Sequence, residues 1–249
     1  MNLSIVIPAY KEAHKIARDV AAADAFLRSR RGDGEIIVVD DGSGDGTADA
    51  ARELQNQFPS LGVVTYERNR GKGYAVAQGV AQARGDVMMF ADAGLCVPYE
   101  IATLGLTMLE LDMCDIAHGS RRMRGSVLRA QPLYRRLGSQ GYKYVVHGLM
   151  GVPTFISDTQ CGFKMYRREV ARELYSELVT DGFMFDVEII LRALRKRYRI
   201  LEFPVLWSND EDTRYDPIKG TLRNFRELAR IRWALATEKP SASEAQYTD

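Results

Sequence analysis

The chain has little cysteine, almost no net charge and no long hydrophobic run. Its 249 residues include three cysteines, Cys96, Cys114 and Cys161, with no C-x-x-C spacing. An odd number of cysteines without such spacing favours reduced thiols on the cytosolic side over a disulfide framework or a zinc site. The 34 Lys and Arg residues against 33 Asp and Glu give a formal net charge of +1. No global field therefore points to nucleic acid as a partner.

Apolar stretches are too short for a membrane span. The longest, Val87–Ala91, has the length of a strand, whereas a span needs about 20 apolar residues. The chain enters a strand-like run at residues 3–7 without the basic and apolar segments of a cleavable leader. We therefore expect a protein that does not cross a membrane. It would lie in the cytoplasm or peripherally on the cytoplasmic face of a membrane.

The composition is that of a globular protein. Hydrophobic residues make up 46% of the chain and charged residues 27%, which excludes a disordered chain, a collagen-like fibre and a small disulfide scaffold. The length suits one large α/β domain or two small ones. We expect one domain over residues 1–237, followed by a polar, disordered tail at 238–249.

Strand and helix patterns alternate in the first half. Short β-branched or apolar runs predict strands at residues 3–7, 35–39, 63–66, 87–91 and 115–118. Helical spacings lie between them, and the second half adds helices near 182–197 and 217–237 around a strand at 200–207. The alternation predicts an α/β fold with a mostly parallel sheet and helices on both faces. In such sheets ligands bind at the carboxyl ends of the strands.

The most specific motif is D-D-G-S-G-D-G-T at residues 40–47. Two adjacent carboxylates at a strand end are costly if they are buried without partners. A nucleobase N–H or a ribose hydroxyl could act as that partner for Asp40 or Asp41. The alternative is that Asp41 and Asp45 only form turns and a helix cap.

Further motifs follow in a fixed order. They are P-A-Y-K-E at 8–12, N-R-G-K-G at 69–73, F-A-D-A at 90–93, G-S-R at 119–121, D-T-Q-C-G-F-K at 158–164 and F-D-V-E at 185–188. With these motifs the sequence resembles the family 2 glycosyltransferases, from residue 1 to about 235. Within that family it is similar to the dolichyl-phosphate glucosyltransferases and mannosyltransferases, nearer the glucosyl branch. The resemblance implies a Rossmann-like GT-A fold with a nucleotide-binding half (about 1–120) and an acceptor half (about 121–237).

The resemblance also implies a nucleotide site formed by the loops that follow the first four predicted strands. Its members would be Pro8, Tyr10, Glu12, Asp40, Asp41, Lys72 and Ala93. The first four would hold the base and the ribose, with Asp41 in support. For Lys72 the alternative is a solvated loop lysine.

Two arginines and two aspartates complete the implied catalytic set. Arg121 would reach the sugar or the diphosphate, which its planar fork suits. Arg214 stands where the family has a lysine; its alternative is a salt bridge within its own loop. Asp158 opens a polar loop that could face an acceptor, and Asp92 ends the fourth strand. Asp186 and Glu188 do not share a helix face, so at most one of them would face the cleft; the alternative is a helix-dipole role for both.

One departure from the family concerns metal binding. The family has Asp-x-Asp at the fourth strand end, whereas this chain has Asp92-Ala93-Gly94, followed by Cys96. Mg²⁺ and Mn²⁺ prefer oxygen ligands, which glycine and cysteine side chains do not offer. We therefore expect either cation to be held weakly, through Asp92 alone, or to be replaced by the charges of Arg121 and Arg214.

The resemblance implies an inverting transfer of a hexose from UDP-glucose or GDP-mannose to a polyprenyl or dolichyl phosphate. Arginines among apolar residues at 121–136 and the apolar stretch at 145–155 could lie on a membrane surface. The alternative is that the apolar sides of these segments pack on the core. Two other functions stay open: a soluble glycosyltransferase with a small or saccharide acceptor, and a nucleotide-sugar-binding protein without catalysis.

Overall fold

The computed structural model describes residues 1–126, 142, 144–208 and 217–238, with the side chains of the last segment from residue 222 onward. The predicted tail lies outside these residues from 239 onward, and so does most of the basic stretch at 121–136. Seven strands form one sheet. They are β1 (Leu3–Ala9), β2 (Gly34–Asp40), β3 (Leu61–Thr65), β4 (Val87–Ala91), β5 (Ile116–Ser120), β6 (Phe163–Arg167) and β7 (Ile200–Pro204).

The sheet is mostly parallel, as the sequence predicts. Its strand order is β3-β2-β1-β4-β6-β5-β7. Only β6 runs antiparallel to its neighbours, β4 and β5, so six strands end at the same edge. The sequence pattern does not predict β6, since the run F-K-M-Y-R breaks its apolar character with two basic residues.

Helices cover both faces of the sheet, which confirms the predicted layers. They are α1 (Ile16–Ser29), α2 (Thr47–Glu53), α3 (Lys72–Gln82), α4 (Ala102–Glu110), α5 (Arg168–Ser176), α6 (Phe185–Arg195) and α7 (Pro217–Thr237). Ile5 and Ile7 of β1 pack in the core beneath α1 and α4, while Val6 packs in the opposite core beneath α3 and α6. This alternation follows from the two-residue period of a strand. None of the helices among the described residues has the length and apolar composition that a membrane span requires.

A buried carboxylate fixes the start of α6. Glu188 is fully buried and accepts hydrogen bonds from the backbone N–H groups of Val179 (2.8 Å) and Thr180 (3.0 Å). Arg192, one turn later, donates to it from Nε at 2.9 Å. Glu188 therefore ties the loop before α6 to the helix and does not face the sheet edge.

Replacing Glu188 with alanine should lower the free energy of unfolding by about 2–4 kcal/mol, because it leaves the N–H groups of Val179 and Thr180 without their acceptor. Arg192 keeps a second carboxylate partner, Glu238, at 2.8 Å. Urea denaturation measures the change. Glu169→Ala, at an exposed position of α5, is the matched control and should cost less than about 0.5 kcal/mol. Similar small losses in both variants would contradict the role assigned to Glu188.

Candidate active site

The carboxyl ends of β1 and β2 are joined by a hydrogen-bond network around Asp40. This carboxylate is buried and accepts hydrogen bonds from the Ser43 hydroxyl and from Thr65 Oγ1, the latter at 3.3 Å. Ser43 Oγ in turn accepts the backbone N–H of Lys11 at 2.8 Å. Asp40 therefore orders the loops that follow both strands.

Asp41 holds the loop that leads into α3. It accepts the Tyr66 hydroxyl at 2.8 Å, the Asn69 amide at 2.8 Å and the backbone N–H groups of Arg70 (2.7 Å) and Gly71 (2.9 Å). Burial raises the pKa of this carboxyl, although the donors around it act in the opposite direction. Asp41 therefore organises the loop at 69–71.

The turn interpretation of the D-D-G-S-G-D-G-T motif is correct for Asp45. Its carboxylate accepts the Thr47 N–H at 3.1 Å and the Thr47 hydroxyl at 2.5 Å. Thr47 Oγ1 also accepts the backbone N–H of Glu12 at 2.9 Å. The start of α2 is thereby tied to the first-strand loop.

The residues after β1 are those for which the resemblance implies base and ribose contacts. Pro8 lies near the end of the strand, and the Tyr10 side chain is 38% exposed. Lys11 Nζ lies 5.3 Å from the centre of the Tyr10 ring. Glu12 forms an ion pair with Lys15 at 4.0 Å. The roles of these residues in binding a nucleotide stay a prediction.

Lys72 is the first residue of α3, and the interpretation of this residue as a solvated loop lysine is wrong. Its ammonium lies 2.5 Å from Asp92 Oδ1, at the end of β4, and its side chain is only 18% exposed. The rings of Phe90 and Phe185 lie 5.6 and 5.9 Å from Nζ. Burial alone would lower the pKa of Lys72, but Asp92 and Asp186 raise it above its ordinary value. Lys72 is therefore a cation at neutral pH.

The turn after β4 does not provide a second carboxylate. Ala93 is half-buried there. Gly94 has φ of +96°, a conformation that side-chain-bearing residues rarely adopt, and its N–H donates to Asp19 Oδ2 at 2.6 Å. Within the described part of the chain, no group of three or more His, Cys, Asp or Glu side chains is arranged to hold a metal ion. Because Asp92 already faces an ammonium, these residues do not fit a divalent cation held by two carboxylates.

Arg121 follows β5 and is held by Asp158. Its Nε and Nη2 donate to the two carboxylate oxygens at 2.7 and 2.8 Å, and its backbone N–H donates to Oδ2 at 3.0 Å. The guanidinium carbon lies 5.5 Å from the centre of the Trp207 ring. Burial would raise the pKa of Asp158, but the Arg121 hydrogen bonds and charge bring it well below its ordinary value. Asp158 is therefore an anion that orients Arg121 and is poorly suited to accept a proton.

The sequence analysis missed two charged residues that support these groups, one on β6 and one on the edge strand β7. Glu202 of β7 accepts the Ser157 hydroxyl at 2.7 Å and the Asp158 N–H at 2.9 Å. Lys164 of β6 is fully buried against Asp186, so Asp186 is turned inward. A charged residue inside a short, otherwise apolar run is the sequence feature that could have indicated them. Arg214 lies outside the described residues.

Replacing Asp158 with asparagine should remove a pH-dependent contribution to stability. A carboxyl group whose pKa is lowered by folding stabilises the folded state fully above its ordinary pKa of 3.8. That stabilisation is lost progressively as the pH falls below this value. We expect the difference in unfolding free energy between wild type and variant to shrink by about 1 kcal/mol from pH 6 to pH 3. Urea denaturation across this range measures it. The exposed Asp49→Asn substitution is the matched control, and a constant difference for Asp158→Asn would contradict the assignment.

Comparison with known proteins agrees with the resemblance. The family model described as Glycosyl transferase family 2 matches residues 4–175. The dolichyl-phosphate beta-glucosyltransferase of Saccharomyces cerevisiae is 31% identical over 250 residues, spanning 93% of this chain and 74% of the relative. The enzyme of the same name from Homo sapiens is 32% identical over 244 residues, spanning 93% of this chain and 75% of the relative.

Solved structures agree with the fold. Glucosyl-3-phosphoglycerate synthase from Mycobacterium tuberculosis, crystallised with Mn²⁺, UDP and glucosyl-3-phosphoglycerate, superposes with a TM-score of 0.68 at 17% identity, covering 97% of this chain and 81% of that one. Mannosyl-3-phosphoglycerate synthase from Rubrobacter xylanophilus superposes with a TM-score of 0.66 at 18% identity, covering 100% of this chain and 80% of that one. The predicted GT-A fold is thereby confirmed. The chain is a glycosyltransferase and belongs to glycosyl transferase family 2.

Proposed function

We propose that this chain transfers glucose from UDP-glucose to a dolichyl or other polyprenyl phosphate, with inversion at the anomeric carbon. The observation that carries the proposal is a pair of positioned cations, Lys72 and Arg121, each ion-paired with an aspartate at 2.5 and 2.7 Å. Lys72 directly follows the loop that Asp41 orders, and Arg121 follows β5. Relatives named for glucosyl transfer to dolichyl phosphate favour UDP-glucose over GDP-mannose as the donor.

The donor would lie across the carboxyl ends of β1, β2 and β4. The base and the ribose would be contacted by Pro8, Tyr10, Glu12 and Asp40. Ala93 would lie close to the sugar nucleotide. Lys72 and Arg121 would then face the diphosphate. Cations fixed before the reaction stabilise the charge that develops on the leaving group without reorganising during the step.

The acceptor phosphate would attack without a strong general base. A phosphate monoester has a second pKa of about 6, so it is largely a dianion at neutral pH. One of its oxygens forms a bond to the anomeric carbon while the bond from that carbon to UDP breaks. The bonding electron pair leaves with UDP on the opposite face, which inverts the configuration. No proton needs to move, in agreement with the depressed pKa of Asp158.

We also propose that the acceptor is reached from a membrane surface. Among the described residues, Phe155 is 64% exposed and Trp233, on α7, is 70% exposed. Arg232, also on α7, donates to the Leu149 carbonyl at 2.5 Å, which joins the two segments. Exposed arginines accompany these side chains on α7 at positions 223, 226, 230 and 232. Large apolar side chains among cations suit the headgroup layer of an anionic membrane, at the cytoplasmic face as a peripheral protein.

Transfer assays with radiolabelled donors test the function. We expect label from UDP-glucose to appear in an acid-labile lipid product when dolichyl phosphate is present, with far less from GDP-mannose. Label in a water-soluble product from a small phosphorylated or saccharide acceptor would favour the soluble glycosyltransferase. Donor binding without a product from any of these acceptors would favour a binding protein and contradict the proposal.

Vesicle flotation tests the membrane surface. Burying a large apolar side chain contributes about 1.5–3 kcal/mol, so Trp233→Glu should lower the partition coefficient onto vesicles containing phosphatidylserine at least about tenfold. Leu111→Glu, at an exposed apolar position after α4, is the matched control and should leave partitioning unchanged. Equal binding by both variants would contradict the assigned surface.

A further inference from the structure

The Lys72–Asp92 pair occupies the strand end at which the family resemblance implies a metal ion. We propose that the Lys72 ammonium, and not a divalent cation, neutralises Asp92 and contacts the diphosphate of the donor in this chain. The inference rests on the proposed function, since it presumes that a nucleotide diphosphate sugar binds at this edge. It assigns to Lys72 a catalytic role in binding and in stabilising the leaving group.

The turn after β4 supports this assignment. The position at which a second carboxylate would stand is Gly94, whose φ of +96° makes any side chain strained. Asp19 secures the turn by accepting the Gly94 N–H at 2.6 Å, and Asp92 is fixed by donating its own N–H to the Gly162 carbonyl at 2.9 Å. The backbone here is therefore built around a residue without a side chain.

Packing at the start of α3 holds the ammonium in place. A Cβ on Gly73 would lie only 2.7 Å from Phe185 Cβ, so the first turn of the helix is pressed against the start of α6. The Lys72 ammonium lies 5.6 and 5.9 Å from the centres of the Phe90 and Phe185 rings, next to Asp92. A cation restricted in this way loses little further freedom when a phosphate binds.

The neighbouring charges direct Lys72 towards the cleft. Asp186, the other carboxylate close to it, is paired with the buried Lys164. Asp92 is the carboxylate that Lys72 contacts, and its side chain is 34% exposed, so the pair opens on the sheet edge. An ammonium carries three N–H donors, and one that donates to Asp92 can also donate to a phosphate oxygen.

The formal charges at this strand end also support the assignment of Lys72. The formal charges of two carboxylates and one divalent cation sum to zero, and so do those of one carboxylate and one ammonium. Asp92 and Lys72 make this strand end neutral without a divalent ion, and a divalent ion beside them would leave an excess positive charge before the diphosphate binds. The glucosyl-3-phosphoglycerate synthase that shares this fold was crystallised with Mn²⁺ and UDP, so the two arrangements can be compared directly.

Calorimetric titration of UDP into the full chain tests the proposal, once in Mn²⁺ and once in chelator. We expect the wild-type affinity to agree within about twofold between the two conditions. Lys72→Met keeps the apolar stem but removes the charge and should weaken UDP binding at least tenfold in chelator, while Lys72→Arg should weaken it less than threefold. Lys196→Met, which removes a lysine paired with Glu173 and Glu177, is the matched control. Thermal melting of each variant checks that it is folded.

Two results would overturn the inference. One is a wild-type affinity for UDP that falls more than tenfold in chelator, and the other is a folded Lys72→Met variant that binds UDP as wild type does. Both leave the proposed function intact, because UDP still binds. Failure of the folded wild-type chain to bind UDP in either condition would instead contradict the proposed function, and the inference with it.

Discussion

The site depends on the hydrogen bonds that Asp41 accepts at the end of β2. Its buried carboxylate binds the N–H groups of Arg70 and Gly71, and so sets where the chain turns into α3. Lys72 follows immediately, so its position relative to Asp92 is a consequence of that turn. A carboxylate that has no direct role in the proposed chemistry thereby determines where a cation stands at the edge of the sheet.

Ion pairing between segments far apart in the chain is common to the remaining charged groups. Lys72 is paired with Asp92, Arg121 with Asp158, and Lys164 with Asp186. The first two cations keep part of their surface at the cleft, whereas the third pair is buried. Each carboxylate compensates a partly or fully buried cation, and it also fixes the direction in which the cation points. Asp92, Asp158 and Asp186 therefore act mainly by orienting cations. Glu202 supports the Asp158 loop by accepting hydrogen bonds from it.

The sequence was sufficient to predict the fold but insufficient to predict which charged side chains form ion pairs. Short apolar runs predict six of the strands, and helical spacings of apolar residues predict the helices on both faces. Both signals arise because each element must bury apolar side chains where it meets the core. They miss β6, because a lysine such as Lys164 is expected on the surface. In the structure Lys164 is buried against Asp186. Which acid faces which base depends on contacts far apart in the chain, such as Arg121 with Asp158, and a single sequence does not encode that spacing as a pattern.

The same limit explains the interpretation of the turn after β4. From the sequence, Gly94 is the loss of a metal ligand, and Arg121 and Arg214 are the candidates to replace the missing charge. In the structure Arg121 is held by Asp158. Lys72, a residue that the sequence allows to be a solvated loop lysine, contacts Asp92. With Gly94 in place of a second carboxylate, the Lys72 ammonium is the counter-charge of Asp92 at this strand end. A substitution at either position has to be judged by its effect on the other.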